Sequence, residues 1–339
     1  MPKQLNARIA RLSLYMTCFV ALFHCGSPED VLAVSARDLQ LSSQLAEVIG
    51  QLAVFAMSFF MAVSMYRLFS GLTLQTYGRK ISRRVRSVLI PFVLWQLLFL
   101  ALFKLQGADW SFRECLIRVF GFHMWPPDGP LWYLYSLFLL ALLSPLLLIM
   151  RHRRLSLAGI LLAICGLYSF RAEISAAIEG VFPGTYVGYT LTYSPAILLG
   201  AYLGRFGQED STGTLLSDCL FLLLGLFLGE PLFPGIFAHY AMYLLPVILL
   251  FVFPLRPRPY LEKLYPLCFL VYALHQPILV LLLHRVRPVM DGLMPCLFVD
   301  NLVTRVLFLL IDFAAAAAVC RALKRLCPRA LALLTGGRV

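Results

Sequence analysis

The sequence predicts an all-α integral membrane protein, a bundle of about ten transmembrane helices with both termini cytoplasmic. Composition, a run of long apolar segments and the placement of basic residues each predict it. Of the 339 residues 60% are hydrophobic and only 14% charged, and the mean hydropathy is +0.82. A soluble domain of this size would have to expose apolar patches far larger than water tolerates. No Ser/Gly-rich linker or long polar stretch interrupts the chain, so residues 1–339 are expected to form a single transmembrane domain.

A membrane span needs about 20 predominantly apolar residues. Ten segments qualify, at approximately 9–25, 46–66, 87–105, 131–150, 155–171, 185–204, 214–230, 237–254, 265–284 and 299–320. The first has the basic start of a signal peptide but no small-x-small cleavage site, and is expected to stay as a span. Pro91, Pro195, Pro246 and Pro277 fall within or near the ends of these segments. Such breaks are tolerated where neighbouring groups satisfy the freed backbone.

With the amino terminus cytoplasmic, 21 of the 29 lysines and arginines fall on the cytoplasmic side and seven on the other, with Arg305 inside the last span. That asymmetry over short loops orients the bundle and places the 106–130 loop outside. It also accounts for the net charge of +12 without a phosphate groove, so no nucleic acid is expected as a partner. The nine cysteines include no C-x-x-C pair and no metal-ligand spacing, which predicts no metal site. Most lie in apolar runs, where Cys is a small hydrophobe. A disulfide among Cys25, Cys115 and Cys296 stays open.

Four stretches place polar groups where a lipid-facing helix would not. The first span ends in His24. A histidine at the membrane edge reads as functional or as a helix-capping interfacial group, and both readings stand. The segment Gly78-Arg79-Lys80-Ile81-Ser82-Arg83-Arg84-Val85-Arg86 runs directly into Leu89-Ile90-Pro91. Its basic side chains serve as a cytoplasmic anchor or as a phosphate cradle, since guanidinium forks pair bidentately with phosphate. In Asp128-Gly129-Pro130-Leu131-Trp132-Tyr133-Leu134, Trp132 and Tyr133 fit an interfacial aromatic belt or a sugar-stacking surface. In Tyr272-Ala273-Leu274-His275-Gln276-Pro277, a second intramembrane histidine shares a helix face with Tyr272 and Gln276. That face is interhelical glue or a site. Arg305 and Asp312 are seven apart in the last span and are expected as a structural ion pair.

In this order the four stretches resemble the acyltransferase-3 family of membrane-bound O-acyltransferases. His24 fills the place of the histidine that ends the family's first span. Phe59-Phe60 through Ser64-Met65-Tyr66 looks like its Phe-Phe…Ser-Gly-Tyr segment. Arg83-Arg84-Val85-Arg86 before Ile90-Pro91-Phe92 carries its Arg-x-x-Arg. Gly129 through Leu134 is similar to its Gly-Pro-Leu-Trp-Phe-Leu element, and Tyr272 to Pro277 matches its late Tyr-x-x-His-x-Pro. Two positions depart: Ser13 stands where the family has a basic residue eleven positions before the histidine, and Met65 replaces a glycine.

The resemblance implies transfer of an acyl group, acetyl by preference, from acyl-CoA as co-substrate to a hydroxyl of an envelope polysaccharide or glycolipid. It implies no bound cofactor, and a cell-membrane location in the plasma or inner membrane. It assigns His24 and His275 to catalysis, Arg83, Arg84 and Arg86 to the donor, and Trp132, Tyr133 and Tyr272 to the acceptor. His24 is then expected near the outer face and the arginines near the inner one, so the acyl pantetheine reaches into the bundle or the acyl group passes through an intermediate. The alternatives are a transporter or flippase for a lipid-linked glycan, and a catalytically inactive relative.

Overall fold

The computed structural model describes residues 3–25, 35–120, 126–181, 187–207, 212–252, 259–293 and 296–338. These are helical, with no strand among them. In chain order the helices are α1 (Lys3–His24), α2 (Ala36–Phe69), α3 (Leu74–Arg84), α4 (Ile90–Leu105), α5 (Phe112–Phe120), α6 (Trp132–Leu143), α7 (Arg153–Ser169) and α8 (Arg171–Val181). They continue with α9 (Val187–Thr192), α10 (Ser194–Phe206), α11 (Thr212–Gly229), α12 (Ile236–Val252), α13 (Pro259–Glu262), α14 (Cys268–Leu293), α15 (Leu297–Leu326) and α16 (Pro328–Thr335).

Each of the ten apolar segments is helical where it is described, though not all form long straight spans. Five stretches are long and apolar enough to cross a membrane: Ala36–Phe69, Leu74–Leu105, Gly129–Ile149, Tyr265–Leu283 and Leu297–Leu326. Helices α7 and α8 would add a sixth, bent by 72° at Phe170, and Gly213–Gly229 and Ile236–Leu250 are shorter apolar helices. The outward surface has the character of a lipid-facing one. Leu97, Leu98, Leu146, Leu162, Phe227 and Leu310 are all more than half exposed on apolar helices. This is a membrane protein. The orientation remains an expectation from the basic residues, and it has a direct test. Cys115 on α5 should react with an impermeant maleimide from the side opposite an amino-terminal tag; labelling from the tag's own side would reverse the topology.

The chain divides into two compact units. The first holds residues 1–9 and 57–256, and the second residues 10–56 and 257–339. In the first, small residues on α10 let two backbones approach. A Cβ added at Gly200 would overlap the Ala62 backbone of α2, and one at Gly204 would lie 2.5 Å from the Tyr66 carbonyl oxygen. Small residues serve this purpose in membranes, where close van der Waals packing replaces the hydrophobic drive between helices. Gly200→Val is therefore expected to cost about 1–3 kcal/mol or more by overpacking, seen as loss of folded protein on detergent extraction. A more exposed glycine, Gly159, should accept the same change.

Local breaks have identifiable causes. Thr73 and Thr76 form a reciprocal cap at the start of α3, each hydroxyl accepting from the other's backbone N–H. Between α3 and α4 the chain opens into a π-helical turn over Val85–Leu89, with the Ile90 N–H donating to the Val85 carbonyl. Pro91 follows immediately. Its ring would clash with the carbonyl four residues back, and the wider turn relieves that clash.

In the second unit α15 carries a buried stripe of Asp300, Asn301, Thr304, Arg305, Phe308 and Asp312, while Leu302, Val306 and Leu310 are exposed. The helix is polar inside and apolar outside, the inverse of a helix on a soluble domain. Asp38 of α2 closes its amino-terminal end, accepting from the Leu297 N–H at 2.7 Å and the Phe298 N–H at 3.0 Å. All nine cysteines are free thiols, so the disulfide left open among Cys25, Cys115 and Cys296 is not formed.

Candidate active site

In the second unit α1 and α14 bring two histidines together. The His24 and His275 rings lie 5.0 Å apart between centroids, tilted by 41°. His275 is 1% exposed, whereas His24 is half-buried. The Nδ1 of His275 lies 2.7 Å from the Tyr272 carbonyl oxygen. A carbonyl only accepts, so Nδ1 carries the proton and Nε2 keeps its lone pair. That Nε2 is buried without a hydrogen-bond partner among the described residues. Tyr272 completes the group, its ring 5.9 Å from that of His275. The face predicted from the four-residue repeat thus exists, with Gln276 half-buried at its edge.

The expected Arg305–Asp312 ion pair is not made. The Arg305 Nη1 donates to the carbonyls of Leu22 and Phe23 at the end of α1, and its Nε donates to Asn301 Oδ1 at 2.6 Å. Asp312 is fully buried with both carboxylate oxygens unpartnered among the described residues, within electrostatic range of Cys25. Seven residues of separation put both on one face, but the carbonyls of α1 take the guanidinium.

The arginine-rich segment lies in the first unit, and the structure sorts its members. Arg84 turns inward, its Nη1 donating to Ser64 Oγ at 2.9 Å and its Nη2 to the Ser64 carbonyl at 2.7 Å. Arg83 and Arg86 are exposed, and Arg86 donates to Ser82 one turn back. Arg67 of α2, which the motif comparison did not single out, joins Arg84 instead. The two guanidinium groups are within electrostatic range of each other and of the Tyr133 hydroxyl. Among the described residues neither forms an ion pair with a carboxylate. Two neighbouring guanidinium groups without a carboxylate favour an anion. Arg67 follows the Ser64-Met65-Tyr66 segment directly, so the signal was present as a lone basic residue one turn beyond Ser64.

Trp132 and Tyr133 also part company. Tyr133 faces Phe60 at 6.2 Å and belongs with the arginines, while Trp132 stacks on Tyr193 at 6.1 Å and meets Tyr189 at 6.3 Å. Tyr193 in turn touches Tyr243 at 5.6 Å. The turn that presents both residues is held by Gln96, whose amide donates to the Asp128 carbonyl at 3.1 Å and accepts from the Asp128 N–H at 2.9 Å. The Asp128 carboxylate is fully buried with no hydrogen-bond partner among the described residues. Those residues contain no cluster of three His, Cys, Asp or Glu side chains that would hold a metal ion.

A membrane-embedded helical chain with two neighbouring intramembrane histidines and two neighbouring guanidinium groups has parts that suit an acyl-transfer enzyme. A family model described as an acyltransferase domain matches residues 16–323, and the chain belongs to the acyltransferase-3 family. It is similar to the succinoglycan biosynthesis protein ExoH of Rhizobium meliloti, with 31% identity over a stretch covering 35% of this chain and 40% of that protein. The match therefore spans well under half of that relative. No solved structure matches the chain.

Proposed function

We propose that this chain is an O-acyltransferase of the cell membrane. It moves an acyl group, acetyl by preference, from acyl-CoA to a hydroxyl on an envelope polysaccharide or glycolipid. The observation that carries the reading is the His24–His275 pair, two neutral-capable bases side by side within a family of acyltransferases. His24 is the accessible member and takes the proton from the acceptor hydroxyl. The buried His275, its ring 5.0 Å from that of His24, is the neighbour that shares that proton. The acceptor oxygen attacks the thioester carbonyl, the C–S bond breaks, and the proton leaves with the CoA thiol. Arg84 and Arg67, beside Tyr133, hold a phosphate of the donor. Trp132 and Tyr272 are the residues assigned to the acceptor. The whole of residues 1–339 acts as one transmembrane catalytic domain, and the polysaccharide connection of the ExoH relative supports a glycan acceptor.

The test is incubation of the purified full chain, in nanodiscs, with radiolabelled acetyl-CoA and isolated envelope glycans. Alkali-labile label on the glycan is the expected result. Movement of a lipid-linked glycan across the bilayer without label transfer would favour the transporter reading and refute this one.

A further inference from the structure

We infer that Arg305 is a positioning residue for His24. Helix α1 ends at His24, so the carbonyls of its last turn have no partner within the helix. In a membrane such orphan acceptors are costly, and an arginine near a helix carboxyl terminus is suited to satisfy them. Arg305 does so from a different helix. Its Nη1 donates to both the Leu22 and the Phe23 carbonyls, the latter at 3.1 Å, immediately before the histidine.

The guanidinium is itself fixed from behind. Its Nε donates to Asn301 Oδ1 at 2.6 Å, Asn301 Nδ2 donates to Ser42 Oγ at 3.0 Å, and Arg305 is only 5% exposed. Through Ser42 this chain reaches α2, whose Asp38 caps the start of α15. Three helices thus meet at the last turn of α1. Apolar contacts hold α14 and α15 together beside it, with Cys25, Ile278, Leu279 and Phe308 forming one buried cluster. The His24 ring, at the end of α1, and the His275 ring, on α14, therefore keep their separation only while Arg305 holds the turn. This rests on His24 acting as the base, and the experiment below separates the two ideas.

The experiment compares Arg305→Met, Arg305→Lys and Asn301→Ala in the full chain. It reads kcat, the KM for acetyl-CoA, and the rate at which diethyl pyrocarbonate modifies His24, located by mass spectrometry. Arg305→Met is expected to lower kcat by about ten- to a hundredfold through misplacement of the base, with KM changed by less than about twofold because the donor contacts are untouched. His24 should be modified severalfold faster. Arg305→Lys, which can still reach one carbonyl, should recover part of kcat, and Asn301→Ala should fall between it and wild type. Folded Arg305→Met protein with wild-type kcat and wild-type His24 labelling overturns the inference. Should Arg305→Met fail to fold, Asn301→Ala with both readouts unchanged overturns it equally. The labelling needs no turnover. A labelling change in a protein that transfers no acyl group would therefore uphold the positioning role and reject the acyltransferase reading.

Discussion

His24→Ala is expected to lower acyl transfer by about a hundred- to ten-thousandfold, the usual worth of a general base, while folded protein in the membrane stays near normal. The packing around His24 supports that separation of effects. Its ring is half-buried and meets the Phe23 ring at 77° and the His275 ring at a 41° tilt, whereas the buried cluster that joins α14 to α15 does not include it. If His24 were only a packing group, activity and abundance would fall together. Substantial transfer by a normally abundant His24→Ala protein would remove it from the mechanism and leave His275, with its unpartnered Nε2, as the base.

The second large effect is expected at Arg84. Replacing it with Gln should raise the KM for acyl-CoA by about ten- to a hundredfold, since a charge-assisted contact is worth about 1.5–3 kcal/mol. Arg67→Gln should act in the same direction but more weakly, since Arg67 is itself exposed although its guanidinium lies within electrostatic range of Arg84. The Arg83→Gln/Arg86→Gln double variant should do much less, because both side chains are exposed and such charges contribute little. Michaelis profiles of the variants at fixed acceptor concentration would read this directly. Equal KM values for the Arg84 variant and wild type would reduce the cluster to a membrane anchor.

The sequence showed the helices better than it showed their partners. Long apolar runs are read directly, because a lipid solvent demands length and apolarity together, and each expected segment is helical where described. The Tyr272–His275 face was equally legible, since a helix repeat fixes which residues are neighbours. The π-helical turn was not. Pro91 announced a disturbance, but its form, and the consequence that Arg84 rather than Arg83 or Arg86 turns inward, depends on how the freed backbone is satisfied. The Arg305–Asp312 pairing failed for a related reason. Spacing within one helix says which residues share a face, but not that α1 would offer two carbonyls to the same guanidinium.

The inside-out character of α15 bears on how the protein is built. Asp300, Asn301, Thr304, Arg305 and Asp312 would burden this helix if it entered lipid alone, since each central charge costs about 2.5–3.5 kcal/mol on insertion scales. For Asn301 and Arg305 the groups that relieve the burden are the Ser42 hydroxyl on α2 and the terminal carbonyls of α1, and both lie upstream in the chain. During synthesis they are already in the bilayer when α15 emerges. The helix is thus made after these polar partners, and they are there to receive it as it enters.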